Sequence, residues 1–382
     1  MPADGHAAAP RALVTGCAGF IGSWVCEALV AEGWRVLGID AFRGAYPRAD
    51  KEANLAGLER EAAFRLVEAD LLAADLERLM RGRPAVIHLA GQPGVRASFG
   101  RGLPGCATDN LAATGAVLEA ARAAGVRRVV WASSSSVYGE PAERPCPEDA
   151  PTRPRSPYGV TKLACEGLAA LARAAGLSVT GLRFFTVYGP RQRPDMAFRR
   201  MCEALLGGPV FPLLGDGAQS RDVTHVADAA EATLRAALAP EVAETYNVGG
   251  GEQASLADAM AALEALAGTP VPLVRRPPAP GDVRHTSADT SRARRELGWQ
   301  PRIGLAEGLA GQLAWVAGRL ATTAGYSAIW NTMPEGAQAP WASAGSAALS
   351  TRSKTGPLRR NSRSSTSGGV GGSETPLAWS VT

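Results

Sequence analysis

The chain has 382 residues, with 40 Lys and Arg against 36 Asp and Glu and a formal charge of +4. That length supports one large domain or two ordinary ones and excludes a peptide-sized or disulfide-stapled scaffold. The near balance of charge excludes a dedicated nucleic-acid or membrane-surface binder and directs attention to small-molecule partners.

Residues 325–382 hold five basic and two acidic residues, which leaves 35 basic against 34 acidic in the body. Lysine occurs only at Lys51, Lys162 and Lys354 in a chain that otherwise uses Arg, so each lysine invites a reason. Six scattered cysteines with no CxxC pair, and four histidines, predict neither a zinc framework nor a disulfide ladder. Reduced, cytoplasmic thiols are expected instead. The opening MPADGHAAAP lacks a basic n-region and an apolar h-region, and no run of 18 apolar residues occurs.

Short β-branched runs alternate with Ala- and Leu-rich stretches: ALVTG at 12–16, WRVLGID at 34–40, FRLVEAD at 64–70, AVIHLA at 85–90, RRVVWASS at 127–134 and VTGLRFF at 179–185. This rhythm predicts βαβ units in an α/β, Rossmann-type doubly wound parallel sheet. The runs are nearly continuous in apolar residues, as strands covered on both faces require. Beyond residue 186 the spacing predicts helices near 196–206, 226–238, 255–267 and 305–319 and a short strand pair around 209–225. We therefore expect a cofactor domain over 10–186 and a smaller C-terminal α/β lobe over 187–324, packed as a lid without a core of its own. Residues 325–382 are Ser-, Gly- and Thr-rich and are expected to form a disordered tail.

Gly16, Gly19 and Gly22 in TGCAGFIG follow the first strand and open a helix. Glycines there tighten the turn and let backbone approach a pyrophosphate at the helix N-terminus. Phe20 and Ile21 lie inside that loop. Asp40 ends the second strand 18 residues past Gly22, where a carboxylate accepts from an adenosine ribose and repels a 2′-phosphate. NAD is the expected cofactor, with Arg43 close behind as a feature that complicates the preference.

In SPYGVTKLACE, Tyr158 and Lys162 stand four apart on one helical face. An ammonium beside a phenol favours the phenolate, which makes the tyrosine a usable acid and base. Upstream, Ser133, Ser134, Ser135 and Ser136 end the fifth strand at the carboxyl edge of the sheet, where ligands gather. The 24 residues between Ser134 and Tyr158 let the two side chains converge.

TGCAGFIG, Asp40, Asp70, HLAGQ, SSSSVYG and YGVTK together resemble the extended short-chain dehydrogenase/reductases, specifically the UDP-sugar 4-epimerase group, over about residues 10–320. The resemblance implies that Ser134, Tyr158 and Lys162 are catalytic. It places Asp70 and Leu71 at the adenine, Leu89, Ala90 and Gly91 along the cofactor, and Asn110 beneath the sheet edge near the nicotinamide. It also implies a UDP-sugar substrate and a homodimer.

Relatives that move a proton at C5 carry carboxylates directly after the catalytic hydroxyl, where this chain has Ser135 and Ser136, so chemistry at C4 remains. The hydroxyls of Ser135, Ser136 and Thr186 suit a sugar carboxylate, which accepts several charge-assisted hydrogen bonds, and resemble the UDP-glucuronate 4-epimerases. A neutral UDP-hexose is the alternative, as is a catalytically idle NAD-binding protein of the same fold. Arg191, Arg193, Arg221 and Arg284 are candidates for a diphosphate clamp, of which the resemblance singles out Arg221 and Arg284. His88 and His225 read as satisfied core histidines.

Overall fold

A computed structural model of the chain describes residues 9–43, 46–278 and 283–323. The tail expected over 325–382 lies outside the described residues. Twelve strands are found among them: β1 (Arg11–Thr15), β2 (Arg35–Asp40), β3 (Phe64–Glu68), β4 (Ala85–His88), β5 (Arg128–Ser134), β6 (Val179–Phe184), β7 (Thr186–Tyr188), β8 (Phe211–Leu214), β9 (Ser220–His225), β10 (Thr245–Val248), β11 (Glu252–Ser255) and β12 (Leu273–Arg276).

Seven of these form one parallel sheet in the order β10-β6-β5-β4-β1-β2-β3. Successive residues of a strand face opposite sides, and here both sides are buried. Ala12 and Val14 of β1 pack with Val25 and Leu29 of the helix Phe20–Ala31. Leu13 between them packs with Val117 and Ala121 of the helix Ala113–Ala123 on the other face. That two-sided burial explains why the strand runs lack alternation.

The fold differs from the sequence reading in three places. The sheet gains a seventh strand, β10, which returns to pair with β6 from well beyond residue 186. TYNV is four residues long and carries no periodic signal of its own. Second, β8 and β9 do not pair with each other: β8 runs parallel to β12, and β9 lies between β11 and β7. Nearness in sequence suggested a hairpin that tertiary packing does not form. Third, the residues beyond 186, expected to lack a core, carry an apolar cluster. Phe198, Met201, Leu213, Leu263, Leu309 and Leu313 meet there from three helices and β8.

Candidate active site

A cleft of about 330 Å³ runs along the carboxyl ends of β1, β2, β4, β5 and β6. It spans the β1–β4 junction, where strand order reverses and open α/β sheets bind ligands. Gly16, Gly19, Phe20, Ile21, Gly22, Asp40, Asp70, Leu71, Leu89, Ala90 and Gly91 all line it.

The glycine loop is shaped by contacts that only glycine permits. Gly16 has φ +69°, and a Cβ there would stand 2.7 Å from the Ala90 backbone nitrogen. At Gly22 a Cβ would stand 2.0 Å from the Gly16 carbonyl oxygen. The helix Phe20–Ala31 begins at Gly19 with no side-chain cap, so its first N–H groups are left for an anion. This cradle fits the pyrophosphate of a dinucleotide.

Asp40 is more heavily engaged than the sequence suggests. Its Oδ2 accepts from the Ala18 N–H at 3.2 Å and its Oδ1 from the Phe42 N–H at 2.8 Å. Lys51 Nζ stands 3.0 Å from Oδ1 and also donates to the Arg43 carbonyl. Both side chains of the pair are buried; the three accepted bonds leave the carboxylate one acceptor site for a ribose hydroxyl while Lys51 compensates its charge. Repulsion of a 2′-phosphate by Asp40 is correspondingly weaker than expected. This pairing supplies the reason for one of the three lysines. Arg43 reaches across the cleft mouth to Asp70 at 2.8 Å and Asp109 at 3.0 Å.

The helix Pro157–Ala174 carries the YxxxK pair. Ser156 caps it by accepting from the Gly159 N–H at 3.1 Å, and Pro157 occupies the first helical position. Lys162 Nζ lies 5.9 Å from the Tyr158 ring centroid and donates to the Ala132 carbonyl at 2.8 Å. Ser134 ends β5, and its Oγ accepts from the Ser136 N–H at 3.1 Å. The hydroxyl proton is thereby left to point elsewhere. Ser134, Tyr158 and Lys162 share the cleft wall with Thr186 and Arg193. The glycine cradle and this trio thus open onto one space.

Residues 12–249 match the NAD dependent epimerase/dehydratase family. The chain belongs to the NAD-dependent epimerase/dehydratase family. It is 40% identical over 307 residues to a UDP-glucose 4-epimerase of Mycolicibacterium smegmatis, covering 78% of this chain and 96% of that one. It is 36% identical over 310 residues to a UDP-glucuronate 4-epimerase of Thermodesulfobacterium geofontis, covering 79% and 95%. Among solved structures, the UDP-glucuronic acid 4-epimerase of Bacillus cereus in complex with UDP-glucuronic acid and NAD superposes with a TM-score of 0.78 at 38% identity, covering 81% and 99%.

The remaining expected residues of this epimerase/dehydratase chain divide by position. Asn110 does not line the cleft. It is buried in a π-helical turn (Ala107–Ala112), where it accepts from the Gln92 N–H at 2.8 Å and donates to Thr161 Oγ1 at 3.1 Å. It therefore braces the Gly91–Gln92 turn against the YxxxK helix. Ser135 and Ser136 form the 3-10 turn after β5 and are not part of the lining. Of the candidate arginines, only Arg193 lines the cleft, where it pairs with Asp195 at 3.0 Å. Arg221 instead donates to the carbonyls of Ser220 and Arg284, at 2.9 and 3.3 Å, away from the lining. Arg191 is turned onto the helix Phe20–Ala31, bound to Glu27 at 2.6 Å.

Both histidines are satisfied core residues. His88 bonds Thr15 Oγ1 at 2.7 Å and Thr114 Oγ1 at 3.1 Å, and burial, reinforced by Lys162, lowers it to about 3. His225 accepts from the Ala227 N–H at 3.2 Å, and burial lowers it to about 4. No group of three or more His, Cys, Asp or Glu among the described residues is placed to hold a metal ion. Tyr46, Lys51, Gln92, Asp109 and Met196 line the cleft without having been singled out as site residues. Lysine scarcity was the signal for Lys51, and the others had none.

Proposed function

We propose that the protein is an NAD-dependent UDP-sugar 4-epimerase whose substrate is UDP-glucuronate, converted to UDP-galacturonate. The observation that carries this reading is the convergence of Ser134, Tyr158 and Lys162 with Thr186 and Arg193 in one cleft beside the glycine cradle. The Bacillus cereus structure, which holds UDP-glucuronic acid and NAD, supports the choice of sugar.

NAD, when bound, accepts a hydride from C4 and returns it to the opposite face, so the reaction has no net redox change. Tyr158 is the base that removes the C4 hydroxyl proton and the acid that returns it. Ser134 Oγ donates to the same oxygen, since the bond in which it accepts from the Ser136 N–H leaves its own proton available. Lys162, tethered on Ala132, holds positive charge beside the phenol ring and has donors left for ribose hydroxyls.

A 4-keto uronate is a β-keto acid and loses CO₂ when its carboxylate bond stands perpendicular to the carbonyl plane. The site must hold the carboxylate away from that alignment. We assign this to the Thr186 hydroxyl and the Arg193 guanidinium, which line the cleft, and not to Ser135 and Ser136, which do not. Each charge-assisted hydrogen bond contributes about 1.5–3 kcal/mol.

Identity to the Mycolicibacterium smegmatis UDP-glucose 4-epimerase favours a second reading, a neutral UDP-hexose. Incubation of the pure protein with a panel of UDP-sugars, with C4 configuration read by NMR, separates the two. Turnover of UDP-glucuronate to UDP-galacturonate with little pentose is expected, and turnover of UDP-glucose alone would overturn the uronate assignment.

We further infer a homodimer. Phe99, Leu103, Val160 and Leu171 are large apolar side chains left exposed, and the last two share one face of the helix Pro157–Ala174. Light scattering in solution tests it, a monomeric mass counting against it. The six cysteines are all buried free thiols, in keeping with a cytoplasmic location. No helix among the described residues is long and apolar enough to cross a membrane.

A further inference from the structure

Tyr46 stands in the loop between β2 and the helix Arg48–Leu55. Its hydroxyl is one of four buried side-chain polar atoms without a hydrogen-bond partner among the described residues, the others belonging to Trp131, Thr180 and Thr224. Of the four residues, only Tyr46 lines the cleft. An unpaired hydroxyl removed from water costs free energy that a ligand acceptor would recover.

Its position identifies the acceptor. Tyr46 Oη lies 3.8 Å from where a Cβ on Gly19 would stand, at the uncapped start of the helix Phe20–Ala31. Lys51 Nζ sits 5.6 Å from the Tyr46 ring centroid and, with its hold on Asp40, fixes the ring from the ribose side. Phe20 and Arg193 line the same cleft. Burial, reinforced by Asp40, raises the phenol above its ordinary value, so it remains a donor through the neutral range. An O–H donor, the uncapped helix start and a guanidinium thus share the cleft that the glycine loop lines.

We propose that Tyr46 Oη donates a hydrogen bond to the pyrophosphate of the dinucleotide seated on the Gly16–Gly22 loop, and so acts as a cofactor-binding residue. The proposal rests on the assignment of NAD to this cleft. It gives the buried Tyr46 hydroxyl an acceptor within the cleft that the residue lines.

Tyr46→Phe keeps the ring and removes only the hydroxyl. The full-length protein and this variant, freed of bound nucleotide, would be titrated by calorimetry with NAD, ADP-ribose, adenosine and UDP. Affinity for NAD and ADP-ribose is expected to fall about 10-fold in the variant, with adenosine and UDP unchanged, because only the first two present a pyrophosphate at the loop. The nucleotide-free variant is expected to unfold at the same temperature as the parent or higher, since an unpaired buried hydroxyl is gone. Equal binding of NAD by both proteins, or a loss confined to UDP, would overturn the role of Tyr46 alone. Failure of the parent protein to bind NAD would overturn it together with the cofactor assignment.

Discussion

Ser133 Oγ donates to Glu166 Oε1 over 2.6 Å, one residue before Ser134 and one helical turn past Lys162. The contact ties β5, which presents the Ser134 hydroxyl, to the helix that presents the Tyr158 phenol and the Lys162 ammonium. Lys162 makes a second tie one residue earlier, on the Ala132 carbonyl. Glu166 is in turn gripped by Arg183 of β6 through two bonds of 2.8 Å. Arg183 also donates to Tyr138 Oη and the Glu148 carbonyl, both at 2.7 Å. The spacing of the trio is thus fixed by a buried ionic network beneath it.

Glu166→Leu leaves the Arg183 guanidinium buried and unpaired, so a loss of about 3–5 kcal/mol in unfolding free energy is expected. Urea denaturation measures it. Replacing both partners with Leu should recover much of the loss, and a single variant within about 0.5 kcal/mol of the parent would show the network to be incidental.

Tyr158→Phe removes the hydroxyl proposed as acid and base and keeps the ring. Turnover should fall by roughly 10²- to 10⁴-fold while NAD binding persists. Steady-state kinetics alongside a cofactor titration checks both halves, and near-native turnover would remove Tyr158 from the mechanism.

Thr186→Val exchanges a hydroxyl for a methyl group of similar size at the edge of the cleft. UDP-glucuronate turnover should drop by about 10-fold or more, with neutral UDP-hexoses little changed. Equal losses for both sugar classes would place Thr186 away from the carboxylate.

Gly22→Ala introduces a Cβ 2.0 Å from the Gly16 carbonyl oxygen, a contact that backbone on both sides must move to relieve. The loop opens and the pyrophosphate cradle is lost. Fluorescence titration should show NAD affinity reduced at least about 10-fold, since one lost charge-assisted bond already has that effect.

His88 is held neutral, at about 3, whereas in the unfolded chain it titrates near its ordinary value. Between those limits the unfolded state binds the extra proton. The contribution of His88 is therefore complete above about pH 6.5 and is lost as pH falls towards 3, at about 1.4 kcal/mol per pH unit. Asp222, raised by burial to about 6, acts in the opposite sense, its contribution fading as pH rises through that value. The clean measurement is a difference. Between about pH 4 and 6, unfolding free energy should rise more steeply with pH in the parent than in His88→Gln, by that same increment. Parallel slopes would mean that His88 is protonated in the folded protein.

The glycine loop, Asp40, the YxxxK pair and the hydroxyl run at the end of β5 were legible from sequence because each is set by one turn or one helical repeat. Gly16 needs a positive φ, and Tyr158 and Lys162 share a face simply by being four apart. The six sheet strands between residues 11 and 184 were legible for a related reason, since burial on both faces leaves a local apolar signature. Other features depend on where distant segments cross. Lys51 compensates Asp40 because the helix Arg48–Leu55 folds back over the end of β2, a path that no local pattern dictates. Arg193 enters the cleft while Arg221, on β9, and Arg284 stay off its lining, although the sequence offered all three as candidate diphosphate ligands. Four residues at 245–248 complete the sheet because the edge of β6 offers unpaired backbone groups, and pairing there is decided by geometry. Local chemistry was written in the order of residues, whereas the partners of each charged group and the last strand of the sheet were decided by packing across long separations in the chain.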